Sequence, residues 1–200
     1  MKILFLGGNM AKSLADWLVE VGEIVVYKED EVITNDVREI KPDMIVSYNY
    51  KFIIPKEIID FVNSKAINLH ISYLPFNKGY HPNVWSFLED TPKGITIHYI
   101  DAGIDTGDII VQEEVFIDEE RETLRSSYNI LQKEIRSLFK ENWESIKEFK
   151  IKPQIQTRGG SLHYCKEIIR FQAFIKEKGW DTSIREFKEQ YNKSHKSRNH

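Results

Sequence analysis

One cysteine, Cys165, stands among the 200 residues, so no intramolecular disulfide staples this chain and no thiolate pair holds a metal. Charge of one sign is also missing. Lys and Arg number 28 against 31 Asp and Glu, a net charge of −3, which argues against broad charge-driven binding to nucleic acid or a membrane surface while leaving room for a localised basic patch. Long apolar runs are absent too. The run opening at Ile3 stops at Gly7, and Asp16 and Glu20 follow, which does not read as a secretory leader. No stretch approaches the length of a membrane span, so the expected location is the cytoplasm. There is no internal repeat and no low-complexity block. What is present is core material, 41% hydrophobic and 12% aromatic, enough for burial without staples in one medium domain plus a short appendage.

The first hundred residues alternate strand-like runs with amphipathic segments. Strands are expected over residues 2–6, 23–27, 44–47 and 66–69. A helix is expected over 11–21, with Leu14, Trp17, Leu18 and Val21 on one face, and another opening at Pro55. That alternation predicts an α/β, Rossmann-like, mostly parallel twisted sheet with helices on both faces. Residues 94–100 and 109–116 alternate apolar and polar around a loop at 101–108, predicting closing strands and an antiparallel edge. A long helix, interrupted once, is expected over 120–147, then a break at Pro153, a turn at 157–161, and short helices at 166–176 and 182–191. The domain reading is a catalytic domain over 1–150, a short helical extension over 151–191 serving dimer or nucleotide contacts, and a flexible tail over 192–200.

In an open α/β sheet, ligands sit beyond the carboxyl ends of the strands. Asn68 and His70, two apart at a strand end, share a face and could donate hydrogen bonds to one oxygen. The glycine-bearing loop Asp101–Asp108 can aim Asp105 back across the sheet. Donors for an oxyanion beside an acceptor for a proton suit acyl transfer to an amine. Spacing alone leaves other readings open. Asn68 and His70 read equally as loop-facing polar groups, and Asp105 as a turn residue. A metal site from His70, His81 and His98 lacks a His-x-His or His-x-x-x-His pair, and Gly7-Gly8 lacks dinucleotide spacing.

Two long motifs go further. Asn68-Leu69-His70-Ile71-Ser72-Tyr73-Leu74-Pro75, then Lys78-Gly79 and Pro82-Asn83-Val84-Trp85, resembles the formyltransferase family, as does Gly94–Asp101 followed by Gly103-Ile104-Asp105-Thr106-Gly107-Asp108-Ile109-Ile110. The resemblance implies that Asn68 and His70 bind the formyl oxygen and that Asp105 tunes His70 and helps take the amine proton. It implies 10-formyltetrahydrofolate as donor, without a metal. The folate would lie against Asp101, Gly103 and Ile104 on one side and Tyr48, Tyr50, Phe52 and Ile54 on the other.

The acceptor divides the family. Methionyl-tRNA formyltransferases carry a further basic barrel domain, whereas the fifty residues after 150 read as helical here. Glycinamide ribonucleotide formyltransferases are about this size but carry a Gly/Ser-richer first loop than Gly7–Lys12; they are the alternative. The segments Lys78–Ser86 and Arg158–Tyr164 are similar to sugar N-formyltransferases acting on dTDP-4-amino-4,6-dideoxyglucose for O-antigen or other surface polysaccharide. That likeness implies Asn9, Lys78, His81 and Asn83 as contacts to the nucleotide-linked amino sugar, and a homodimer. Lys78 stands where the family often has Arg, which removes a planar bidentate fork.

Overall fold

The computed structural model describes residues 1–157 and 159–196; Arg158 of the expected 157–161 turn and the last four residues of the expected tail lie outside them. A six-stranded sheet runs in the order β2-β1-β3-β4-β6-β7. Its strands are β1 (Lys2–Gly7), β2 (Ile24–Lys28), β3 (Met44–Tyr48), β4 (Ala66–His70), β6 (Gly94–Tyr99) and β7 (Ile109–Glu114). β1, β2, β3 and β4 are mutually parallel, and β6 lies antiparallel to β4. β7 returns beside β6, tied by Tyr99 N–H to Asp108 O and by Val115 N–H to Lys93 O. The expected parallel sheet with an antiparallel edge is what forms.

Alternation places Leu4 and Leu6 of β1 in one cluster with Val37, Ile54, Ile58, Ile59 and Val62. Those residues come from α2 (Thr34–Ile40), α3 (Lys56–Phe61) and the turns beside them. On the opposite face Phe5 stacks on Tyr27, while Trp17 of α1 (Lys12–Glu20) meets Phe139 edge-on. Phe139 belongs to α5 (Leu124–Lys147), which runs without the expected interruption and starts later than residue 120. Its start is set by a reciprocal cap: Ser126 N–H donates to Thr123 Oγ1 and Thr123 N–H to Ser126 Oγ.

Two helices escape the periodicity. α2 is short and highly charged, with Val37 alone fully buried, and Asp36 accepts the Ile33 N–H at its start. α4 (Pro82–Leu88) is apolar nearly all round, so no stripe marks it; Pro82 opens it. The two-residue strands β5 (Lys78–Gly79) and β8 (Leu162–His163) pair in parallel, too short for any pattern to betray. The expected helix at 166–176 is instead two tight 3₁₀ segments, Cys165–Arg170 and Gln172–Ile175, separated by Phe171 at φ −130°. α6 (Ile184–Lys196) continues past the expected end at residue 191, so most of the expected flexible tail is helix. Its first turns are anchored by buried Ile184 and Phe187, and Tyr191 meets Phe174 edge-on, so the helix is propagated rather than newly nucleated at residue 192.

By packing, the chain divides into two compact units that interleave along the sequence. One comprises Met1–His70, Thr96–Val111 and Leu138–Gln156; the other comprises Ile71–Ile95, Gln112–Ser137 and the described residues from Thr157 onward. The second has its own aromatic core, where Phe171 meets Trp85 and Phe187 edge-on. Among the described residues no helix is long and apolar enough to cross a membrane.

Candidate active site

The antiparallel pairing of β4 with β6 sets Asn68 opposite His98 and His70 opposite Thr96. Directly paired residues share a face, so four polar side chains gather on one side of the sheet in the first unit. Their neighbours in sequence, Ile67, Leu69, Ile95 and Ile97, are buried apolar residues. Asp105 reaches this face from the loop after β6. Asn68 Nδ2 donates to Asp105 Oδ1 at 3.2 Å. His70 Nδ1 lies 3.5 Å from Oδ2, and His98 Nε2 lies 3.4 Å from Oδ1. The structure therefore brings together Asn68, His70 and Asp105 and adds His98, which sequence reasoning weighed only as a metal ligand. No signal in the sequence marks it: the antiparallel direction of β6 leaves the register open, and it is the pairing of Asn68 with His98 that puts the two on one face.

The loop owes its shape to several local forces. Asp101 Oδ1 accepts hydrogen bonds from Gly103 N–H at 3.0 Å and Thr106 Oγ1–H at 2.6 Å. The left-handed residue is Asp105 itself, at φ +51°, and neither of the two glycines. Gly103 and Gly107 are needed for closeness instead, because a Cβ there would collide with the Thr106 side chain and the Tyr99 carbonyl. Gln156, unremarked in the sequence, donates from Nε2 to the carbonyls of Asp105 (2.9 Å) and Gly107 (2.7 Å), pinning the loop from the far end of the unit's chain.

The residues expected to line a folate pocket divide. Asp101, Gly103 and Ile104 are exposed along the loop. Tyr48, by contrast, is fully buried in β3 and offers no surface to a ligand. Tyr50 is half-buried; its hydroxyl donates to Asp30 O and accepts the Val32 N–H, both at 2.8 Å. Phe52 packs on Tyr50 at 5.4 Å, and Ile54 is buried in the sheet-face cluster. The exposed apolar side chain in this segment is Ile53, at 77%. Tyr50 and Ile100 lean on the same cluster as Ile54, so this segment and the root of the Asp105 loop share one support. Ile104, exposed beside the main-chain groups of its tight loop, offers the kind of surface that a flat heterocycle with amide edges uses.

Of the expected sugar-nucleotide contacts, Asn9 is exposed just after β1 in the first unit, where Tyr27 OH holds the preceding turn through the carbonyls of Gly7 (3.0 Å) and Gly8 (2.7 Å). Lys78, His81 and Asn83 belong to the second unit. Asn83 is 5% exposed, and its Nδ2 donates to Leu124 O at 3.3 Å, so it faces inward. His81 sits among Tyr80, Phe171 and Trp180, and burial pushes its imidazole pKa down, favouring the neutral ring. Lys78, half-buried on β5, donates its main-chain N–H to Ser161 O. Glu89 anchors that ribbon: it accepts Asn77 Nδ2–H at 3.0 Å and Ser161 Oγ–H at 2.6 Å, with His163 Nε2 2.9 Å away. His163 lies flat on Trp85, centroids 3.9 Å apart at 7°.

Comparison with known proteins places these features. The sequence profile described as Formyl transferase matches residues 25–141. A crystal structure of the formyltransferase PseJ from Anoxybacillus kamchatkensis, in complex with UDP-4,6-dideoxy-4-formamido-L-AltNAc and tetrahydrofolate, is 44% identical. It superposes with a TM-score of 0.87 over 94% of this chain and 97% of that one. A 4-N formyltransferase from Francisella tularensis is 27% identical, with a TM-score of 0.73 over 83% of this chain and 77% of its own. Methionyl-tRNA formyltransferase from Fusobacterium nucleatum is 36% identical over 131 residues, 65% of this chain and 42% of that protein. The chain spans about half the length, or less, of the curated relatives it matches.

Proposed function

The chain belongs to the formyl transferase family, and on that premise we propose that it moves a formyl group from a reduced folate to the amine of a nucleotide-linked amino sugar. The observation that carries the reading is the cluster of Asn68, His70 and Asp105, closed at 3.2 and 3.5 Å within the matched segment. The folate supplies the formyl carbon. As the amine attacks, negative charge grows on the formyl oxygen. Asn68 Nδ2–H and the His70 ring, side by side on β4, are the donors that stabilise it, and loss of one such donor costs about 10²- to 10³-fold in turnover. Asp105, held by the loop and by Gln156, accepts the proton that the amine nitrogen must lose.

The choice of acceptor rests on the PseJ structure, which covers nearly the whole of both chains and holds a UDP-linked 4-formamido-4,6-dideoxy sugar. By that likeness the acceptor is a nucleotide-linked 4-amino-4,6-dideoxyhexose, with UDP favoured over the dTDP of dTDP-4-amino-4,6-dideoxyglucose. Its product would enter surface-polysaccharide synthesis.

The test is a transfer assay with 10-formyltetrahydrofolate, read by mass spectrometry. It offers in parallel a UDP-linked and a dTDP-linked 4-amino-4,6-dideoxy sugar, glycinamide ribonucleotide and methionyl-tRNA. Formylation of a sugar nucleotide alone is expected. Formylation of glycinamide ribonucleotide or of the tRNA alone would replace the acceptor assignment and leave the formyl-transfer site standing. No transfer to any of the four would overturn the whole reading.

A further inference from the structure

We propose, resting on formyl transfer at this site, that His98 is the proton partner of Asp105 and thereby sets when Asn68 is free to donate. The ring lies on β6 with 2% of its side chain exposed, and Nδ1 sits 2.7 Å from the Tyr99 main-chain oxygen. A carbonyl oxygen accepts and cannot donate, so Nδ1 carries a hydrogen, and a neutral ring presents a lone pair at Nε2. That lone pair faces Asn68 Nδ2 at 3.3 Å and Asp105 Oδ1 at 3.4 Å. Asn68 Nδ2 and Asp105 Oδ1 are themselves 3.2 Å apart, so the three atoms form a nearly equilateral triangle.

The amide orientation of Asn68 follows from its neighbours, because only its NH₂ end can meet a carboxylate and an imidazole lone pair. Asn68 supplies hydrogens along two edges of the triangle. The third edge joins two acceptors when His98 is neutral and Asp105 ionised, and it becomes a hydrogen bond only when one proton lies on it. The edge is a built place for a single proton. The titratable groups against His98 are Asp105 from the loop and His70 from β4, whose ring meets that of His98 edge-on at 6.3 Å. Asn68 is neutral, and Tyr99 contributes its main-chain oxygen.

The step balances as follows. The amine nitrogen forms a bond to the formyl carbon and loses one proton to Asp105, where it is shared between Oδ1 and His98 Nε2. With that lone pair occupied, the Asn68 N–H that faced it is released toward the formyl oxygen, at the moment that oxygen carries negative charge. When the bond from the formyl carbon to the folate nitrogen breaks, its electron pair stays on that nitrogen, which takes the proton back through Asp105. Nothing is oxidised or reduced. His98 acts through Asp105 and Asn68, as a positioning residue and proton store.

The test pairs His98→Gln with a measurement on the intact site. Glutamine can donate to Asp105 but cannot carry the proton. We expect kcat to fall about 30- to 100-fold with both KM values within about twofold, and one ionisation to vanish from the pH profile of kcat. A uniform loss with the profile unchanged, or activity within about threefold of wild type, would overturn the proposal. Should the variant misfold, the second arm decides on the full chain without substrate. There ¹⁵N-histidine NMR should find His98 with hydrogen on Nδ1, and an Nε2 resonance that moves in Asp105→Asn. Hydrogen on Nε2 instead, or no movement, overturns it. A wild-type chain that transfers formyl to no acceptor fails the reading above, and the NMR arm still distinguishes that from failure here.

Discussion

Asp105 holds a left-handed backbone conformation at φ +51° while its two carboxylate oxygens face two imidazoles. Asn tolerates that conformation about as well as Asp, so Asp105→Asn removes the charge and keeps the turn, whereas alanine would confound the two. We expect Asp105→Asn to lower kcat by about 10³-fold with little change in KM or in melting temperature. Steady-state kinetics beside a thermal melt check this; a variant within tenfold of wild type would remove proton transfer from Asp105. At this scale much of the site was legible. Asn68, His70 and Asp105 lie in the two motifs that carry the family resemblance, which singles them out where spacing alone left other readings open. It does not single out His98 or Gln156, because their parts depend on who stands opposite or behind them in space. Asn83 and Tyr48 err the other way: residue type suggested a ligand contact, and burial turned both inward.

Among the elements, α5 shows how one buried carboxylate joins distant pieces. Glu23, 7% exposed at the entrance to β2, accepts hydrogen bonds from Trp143 Nε1 and Lys147 Nζ of α5, both at 3.2 Å, and meets the Met1 ammonium at 2.5 Å. Burial alone would raise its pKa, but the bonds from Met1, Lys147 and Trp143 outweigh it and hold the carboxyl below its ordinary value. A lowered folded-state pKa means the ionised carboxylate stabilises the fold above its unfolded pKa. That contribution is lost as pH falls through the folded value. Glu23→Gln is therefore expected to lose about 3 kcal/mol at neutral pH, with the gap to wild type closing as the pH is lowered below the carboxylate range. Urea titrations at several pH values check it, and a gap that stays constant with pH would refute the charge-based account. The elements that sequence patterns revealed are those with a stripe or an alternation, such as α1, β4 and β6. The segments they missed, α2, α4, β5 and β8, are short, evenly apolar or highly charged, and exist because neighbours pair with them.

For the molecule as a whole, the proposed folate binding predicts a stability change. Tetrahydrofolate at about 100 times its dissociation constant would stabilise the folded chain by about 2.7 kcal/mol. For about 200 residues that amounts to a rise in Tm of roughly 5–10 °C. Differential scanning fluorimetry with and without the ligand measures it, and an unmoved Tm at saturating folate would count against the pocket. The sequence by itself determined the sheet's direction, through strand-and-helix alternation that only parallel crossovers satisfy, and its motifs pointed to three polar residues that the structure brings together. With one cysteine it also left no pair for an intramolecular disulfide. Tertiary structure alone decided that His98 faces Asn68, that Gln156 pins the Asp105 loop, and which aromatic side chains are buried. The physical reason is that periodicity records which face a residue takes within its own element. Register, capping and close approach depend on partners far away in the chain, and no local pattern encodes those.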